Sequence, residues 1–114
     1  MLIPPRLLAP LPWSLQVVYR VGDMQKTIDY YTKFFGMHVT RQRDIPEDKY
    51  SNAFLAYGPE DTNFAIELTY NYGVDSYDLG GGFGHMGICT PNVKEMVETI
   101  KQGGGKITRD AGMR

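Results

Sequence analysis

Apolar and polar side chains alternate along residues 63–71, and this pattern predicts a β-strand. The two faces of such a strand would carry Phe64, Ile66 and Leu68 on one side and Ala65, Glu67 and Thr69 on the other. Glu67 is the anomaly, because burying an unpaired carboxylate is costly. Either its face of the strand is solvated, or Glu67 points into a cavity and binds a metal ion.

The same reasoning predicts the other elements of the chain. Strands are expected at residues 15–21, 37–41, 52–57, 85–90 and 106–109. Residues 43–50 are polar and contain Pro46, so we expect a loop there, and residues 72–82 are predicted to form a linker. Residues 1–14 hold four of the seven prolines and predict an irregular N-terminal arm. A remnant of a targeting peptide is the alternative for this arm.

Two helices follow strand-to-helix turns. Asp23 is a good N-cap for the first, and Gly36 is placed to end it. Asn92 would cap the second helix, with Glu95 at the capping-box position, and glycines from Gly103 would end it. The apolar stripes of these helices consist of Met24, Ile28, Tyr31 and Phe35 in the first and Val93, Met96, Val97 and Ile100 in the second.

These strand–turn–helix units form an internal repeat, in which residues 16–23 correspond to residues 85–92. Gln16 and His85 occupy equivalent places, whereas the counterpart of Glu67 would fall beyond Arg114. We therefore expect one domain over residues 15–114, with a first module at 15–73 and an incomplete second module at 83–114.

Composition limits the classes of function. With 114 residues, a net charge of −1 and 22% charged residues of both signs, the chain is typical of one globular domain. Neither a nucleic-acid surface nor a membrane patch or span is indicated. The single cysteine, Cys89, predicts a reducing compartment. We expect the cytoplasm, with the plastid as the alternative.

Gln16, Glu67 and His85 together offer oxygen and nitrogen donors for a divalent metal ion. Imidazole and carboxylate are ordinary ligands of zinc and nickel, and a glutamine oxygen is a rarer one. Taken singly, each residue is more often a structural polar group than a metal ligand, so spacing alone does not decide for a metal site.

Several motifs together resemble the glyoxalase I (lactoylglutathione lyase) family. They are Val-Val-Tyr-Arg-Val-Gly-Asp at 17–23, Tyr-Tyr-Thr-Lys-Phe-Phe-Gly-Met at 30–37, Asp-Ile-Pro-Glu-Asp-Lys-Tyr at 44–50, Ile-Glu-Leu-Thr-Tyr-Asn at 66–71 and Gly-Phe-Gly-His at 82–85. The resemblance implies an α+β fold of paired βαβββ modules, the vicinal-oxygen-chelate architecture, with the second module truncated here.

The resemblance also implies chemistry at named residues. Gln16, Glu67 and His85 would bind one divalent ion, zinc or nickel, and Glu67 would be catalytic. The implied reaction isomerises the hemithioacetal of methylglyoxal and glutathione to S-lactoylglutathione. The family's fourth ligand, a glutamate near the end of the second module, has no counterpart in this chain. A truncated, catalytically impaired module for binding or dimerisation is therefore the alternative function.

By the same resemblance, Arg20 and Asn71 would hold the glutathione part of the substrate, and Phe54 would line a hydrophobic pocket. The alternatives are a strand-edge salt bridge for Arg20 and plain core packing for Phe54. A homodimer is expected, as in the family.

Overall fold

The computed structural model describes residues 16–112, which fall into two compact units. The first unit reaches to Asp78 and the second begins at Leu79. The elements of the first unit are β1 (Gln16–Arg20), α1 (Met24–Phe35), β2 (His38–Ile45), a 3₁₀ turn (Pro46–Asp48), β3 (Tyr50–Ala56) and β4 (Ala65–Asn71). The second unit contains α2 (Val93–Gln102). The predicted arm at residues 1–14 lies outside the described residues.

The four strands form one sheet in the order β1-β4-β3-β2. β1 pairs with β4 in parallel, and the other two pairings are antiparallel. After β1, the chain forms the helix and two further strands, and it then returns so that β4 lies beside β1. This βαβββ connection confirms the predicted α+β class.

Helix α1 begins and ends where the sequence indicates. The Asp23 carboxylate accepts a hydrogen bond from the Lys26 backbone N–H at 3.0 Å, which satisfies a donor at the start of the helix. Gly36 takes the left-handed conformation, with φ of 66°, and its N–H donates to the Tyr31 carbonyl. The cap residues therefore fix the length of the helix, as predicted.

The core of the first unit lies between α1 and one face of the sheet. Ile66 and Leu68 of β4 are buried there, whereas Glu67 and Thr69 lie on the other face and are half-buried. The alternation predicted for β4 is thus confirmed, except that Phe64 precedes the strand and is 44% exposed. The other buried members of the core cluster are Val21, Ile28, Tyr31, Met37, Ala53 and Leu55.

One prediction for the first unit was wrong. Residues 43–45, expected in a loop, belong to β2, and Arg43 pairs with Asn52 of β3. Within the predicted loop only residues 46–49 leave the extended conformation: Pro46–Asp48 forms the 3₁₀ turn, and Lys49 takes a φ of 56°. β2 is an edge strand with exposed residues, so its polarity reflects its position in the sheet rather than a loop.

The second unit keeps its helix but not the predicted strands. Asn92 caps α2 by accepting from the Glu95 N–H at 3.0 Å, as expected. No residue of α2 is buried, however, and residues 85–90 and 106–109 are not strands. A strand needs a neighbour to hydrogen-bond with, and residues 79–112 contain none.

We predict that Leu68→Ala will lower the free energy of unfolding by about 2–5 kcal/mol, because Leu68 is fully buried beneath α1. The matched control is Val18→Ala on the other face of the sheet, where Val18 is 51% exposed. This control should cost below about 1 kcal/mol. Urea unfolding measures both changes, and equal losses would contradict the placement of the core on the helix side.

Candidate metal and substrate site

The sheet face opposite α1 carries most of the predicted site residues, and we call it the polar face. Residues paired directly across neighbouring strands share a face, so the register aligns them in rows. One row runs Val18, Glu67, Phe54, Arg41 across all four strands, and the next runs Arg20, Thr69, Asn52, Arg43. Gln16 and Asn71 flank these rows on β1 and β4.

Gln16 and Glu67 meet on this face although 51 positions separate them. The Gln16 side-chain amide donates to Oε1 of Glu67 at 3.4 Å, and the Thr69 hydroxyl donates to Oε2, also at 3.4 Å. Both contacts are long for hydrogen bonds. Glu67 makes no ion pair within residues 16–112. A half-buried carboxylate with only long, neutral contacts is chemically suited to a cation.

His85, the third predicted ligand, belongs to the second unit, where it is exposed and lies outside any strand. Its placement on a strand start was therefore wrong, while its role as a ligand stays a prediction. Across residues 16–112, no group of three or more His, Cys, Asp or Glu side chains could hold a metal ion. The donors that the first unit brings together are Gln16 and Glu67.

Arg20 and Asn71, the predicted glutathione contacts, lie at the ends of adjacent strands. Arg20 is exposed, and no salt bridge to it forms within the described part of the chain. Asn71 is half-buried, and its Nδ2 donates to the Tyr77 hydroxyl at 3.0 Å. Arg20 pairs with Thr69, two positions before Asn71, so Arg20 and Asn71 are diagonal neighbours on the polar face.

Phe54 also lies in this face, with 1% of its surface exposed. The Arg41 guanidinium covers its ring at 3.8 Å from the centroid, which is a close cation–π contact. Arg41 in turn donates from Nε and Nη2 to the Glu60 carboxylate at 3.1–3.3 Å, and the Thr40 hydroxyl donates to Glu60 at 2.8 Å. These bonds from Arg41, opposed in part by desolvation, lower the pKa of Glu60.

Two arginines of this face have no predicted role in the site. Arg41 was placed in a strand without a role, and its alignment with Phe54 depends on an irregularity in the β2–β3 register between Val39 and Arg41. Arg43 donates from Nε to the buried Asn52 at 3.2 Å, but it was assigned to a loop. Neither contact can be predicted from the sequence motifs, because both depend on the register between β2 and β3.

The segment Tyr72–Asp78 was predicted as a linker but packs against the end of the sheet. The Tyr72 N–H donates to the Lys49 carbonyl at 3.0 Å, and the Gly73 N–H donates to the Tyr70 hydroxyl at 3.3 Å. The Tyr72 hydroxyl bonds the Asp44 carboxylate, which raises the pKa of Tyr72 to about 12. We call residues 72–78 the strap.

The strap also touches the turn between β1 and α1. A Cβ placed on Gly22 would lie 2.0 Å from the Asp75 carbonyl oxygen, so only glycine fits there without displacing the backbone. The strap thus contacts Gly22, two positions after Arg20, and reaches Asn71 through Tyr77 at the end of the polar face.

Comparisons with known proteins agree with this geometry. The family model described as the Glyoxalase/Bleomycin resistance protein/Dioxygenase superfamily matches residues 13–113. The chain belongs to this superfamily. It is 61% identical over 99 residues to the lactoylglutathione lyase of Oryza sativa subsp. japonica, covering 86% of this chain and 34% of the rice protein.

A bacterial relative and a solved structure agree with this assignment. The lactoylglutathione lyase of Escherichia coli O157:H7 is 51% identical over 98 residues, covering 86% of this chain and 73% of the bacterial protein. The crystal structure of glyoxalase I from Zea mays superposes with a TM-score of 0.80 at 61% identity, over 83% of this chain and 34% of the maize chain. The chain thus spans about a third of the length of the plant relatives.

The two helices of residues 16–112 are both too short to span a membrane.

We predict that Gly22→Ala will displace the strap of this superfamily member, because the added methyl group meets the Asp75 backbone. Amide chemical shifts of residues 72–78 should change by NMR, and the unfolding midpoint in urea should fall. Gly81→Ala is the matched control, since nothing lies within 4 Å of a Cβ at Gly81. Unchanged strap shifts in Gly22→Ala would contradict the close approach.

A second prediction concerns Glu60, whose folded-state pKa lies below the ordinary value of 4.5. The Arg41–Glu60 contact therefore stabilises the fold at pH values above the ordinary carboxyl pKa of 4.5. This stabilisation is lost as the pH falls through the lower pKa that Glu60 has in the folded state. Glu60→Gln should lower the free energy of unfolding at neutral pH, with a smaller difference from wild type in acid. Urea unfolding at both pH values tests this, with the exposed Glu98→Gln as control. A difference that is equal at both pH values would contradict the prediction.

Proposed function

We propose that this chain provides the first-module site of a lactoylglutathione lyase. Such an enzyme isomerises the hemithioacetal of methylglyoxal and glutathione to S-lactoylglutathione and so removes methylglyoxal. The observation that carries the proposal is the meeting of Gln16 and Glu67 on the polar face. The rice and Escherichia coli relatives, at 61% and 51% identity, carry this enzyme's name.

Gln16, Glu67 and His85 are the residues proposed to hold a divalent ion, zinc or nickel. A carboxylate, an amide oxygen and an imidazole are compatible with either metal. Rotation of the Gln16 amide would present its oxygen instead of its nitrogen toward a cation beside Glu67. An ion held there would supply positive charge that stabilises the negative charge developing on the substrate's carbonyl oxygen when the proton is removed.

Glu67 is proposed as the general base. Its carboxylate removes the proton from the carbon that bears sulfur, and the same carboxyl group returns this proton to the neighbouring carbon. The hydroxyl proton of the first carbon passes to the oxygen of the second carbon, so that the first carbon becomes the thioester carbonyl and the former carbonyl of the second carbon becomes a hydroxyl. A positioned carboxylate suits this transfer, and Glu67 is half-buried between Val18 and Phe54 in its row.

Glutathione is proposed to bind at the end of the polar face through Arg20 and Asn71, with Phe54 near the reacting group. An exposed arginine offers two parallel N–H donors to a carboxylate. Removing the Arg41 guanidinium from its position over Phe54 would open an aromatic surface on the same face.

A homodimer is proposed as the working form, and a binding or dimerisation module without catalysis is the second candidate. Within residues 16–112, β1 has a strand partner on one side only, and Val17 and Val18 of this edge are 41% and 51% exposed. Such an edge favours pairing with another strand. The cytoplasm is proposed as the compartment on the basis of the unpaired Cys89.

The test is lactoylglutathione formation, followed by the ultraviolet absorbance of the thioester, with zinc and nickel added separately to metal-free protein. We expect activity with at least one metal, and we expect Glu67→Gln to lower kcat by about 10²–10⁴-fold, because an amide cannot accept the proton. Glu98→Gln, a carboxylate change on the exposed side of α2, should leave the rate unchanged.

Folded protein that is inactive with both metals would overturn the catalytic proposal. The second candidate would then be supported if light scattering detects a dimer. Activity that survives Glu67→Gln would remove Glu67 from its proposed role.

A further inference from the structure

We infer that Tyr77 is a positioning residue that sets the orientation of the Asn71 amide and thereby selects ligands with an α-ammonium group. The inference rests on the proposed function, in which Arg20 and Asn71 bind glutathione, and it places the γ-glutamyl part of glutathione at these two residues. It adds a specificity-determining residue from the strap, a segment predicted only to connect the two modules.

The hydrogen bond between the two side chains fixes the amide. Nδ2 of Asn71 donates to the Tyr77 hydroxyl at 3.0 Å, and both residues are half-buried. The nitrogen and oxygen of a carboxamide diverge from the same carbon, so while Nδ2 donates to Tyr77, Oδ1 is turned away from Tyr77. Asn71 is thereby presented to a ligand as a hydrogen-bond acceptor.

Arg20 supplies the complementary donor. Gln16 and Glu67 are diagonal neighbours on β1 and β4, and their side chains meet. Arg20 and Asn71 have the same diagonal relation four residues further along both strands. An arginine that donates and an amide oxygen that accepts together match an α-amino acid group, which carries a carboxylate and an ammonium on one carbon.

The strap holds Tyr77 in place by contacts on both sides of the site. Asp75 lies against Gly22, two positions after Arg20 in the sequence, and the Val74 N–H donates to the Asn71 carbonyl at 3.1 Å. The Gly73 N–H donates to the Tyr70 hydroxyl. Because these contacts do not involve the Tyr77 hydroxyl, its removal should free the Asn71 amide without releasing the strap.

The experiment measures binding of S-hexylglutathione to the full chain by titration calorimetry, beside an analogue in which a glutaryl group replaces γ-glutamyl and so lacks the α-ammonium. Tyr77→Phe should weaken binding of S-hexylglutathione about three- to ten-fold and leave the glutaryl analogue unchanged. In an Asn71→Ala background, Tyr77→Phe should have no further effect, as expected for residues that act through each other.

Tyr70→Phe is the matched control, because it removes one hydroxyl that bonds the strap and leaves Asn71 untouched. It should bind both ligands as wild type does. Urea unfolding of each variant establishes that it is folded, and Tyr77→His provides a second variant that keeps a ring but moves the polar atom.

Equal loss of affinity for both ligands in Tyr77→Phe, or the same loss in Tyr70→Phe, would reduce Tyr77 to a structural residue and overturn the inference. Unchanged binding in Tyr77→Phe and Tyr77→His would overturn it as well. Failure of the proposed function looks different, since the folded wild-type chain would then bind neither ligand.

Discussion

The parallel pairing of β1 with β4 is the constraint on which the rest of the first unit depends. It joins residues about fifty positions apart, and it alone places Gln16 beside Glu67 and Arg20 beside Thr69. A parallel pair requires a long crossover connection, which α1, β2 and β3 supply. A slip of one residue would turn Glu67 toward α1, where a buried carboxylate would be costly. Core and site are therefore specified by the same register.

Helix α1 makes the two faces of the sheet unequal. Its buried residues, Ile28 and Tyr31, seal one face with Ile66 and Leu68. The other face keeps its polar groups in contact with one another: Arg41 lies over Phe54, Arg43 bonds Asn52, and Gln16 contacts Glu67. Most polar side chains of the described sheet therefore lie on the face opposite α1.

Local signals explain which predictions succeeded. Asp23 and Gly36 bound the first helix by hydrogen bonds within a few residues, so the sequence contains the whole interaction. The alternation of apolar and polar residues along β4 likewise predicts that Glu67 lies on the face opposite the core. Arg41, Arg43 and Tyr77 were missed because their partners, Phe54, Asn52 and Asn71, are defined by strand register or by the path of the strap. The candidate ligands could be predicted from strand alternation, the internal repeat and motifs resembling a family, whereas the contacts of Arg41, Arg43 and Tyr77 depend on tertiary structure.

The two copies of the repeat show why a pattern alone does not make a strand. Residues 16–20 and the corresponding residues after His85 have similar apolar character, yet only the first set forms a strand. The difference is β4, which lies beside β1 and accepts and donates its backbone hydrogen bonds. Helix α2 satisfies most of its own backbone groups and forms with its Asn92 cap, whereas a strand forms only where a neighbour pairs with it. Exposed Met86 and Ile88 then mark a segment whose sequence is suited to a sheet and for which residues 79–112 provide no partner strand.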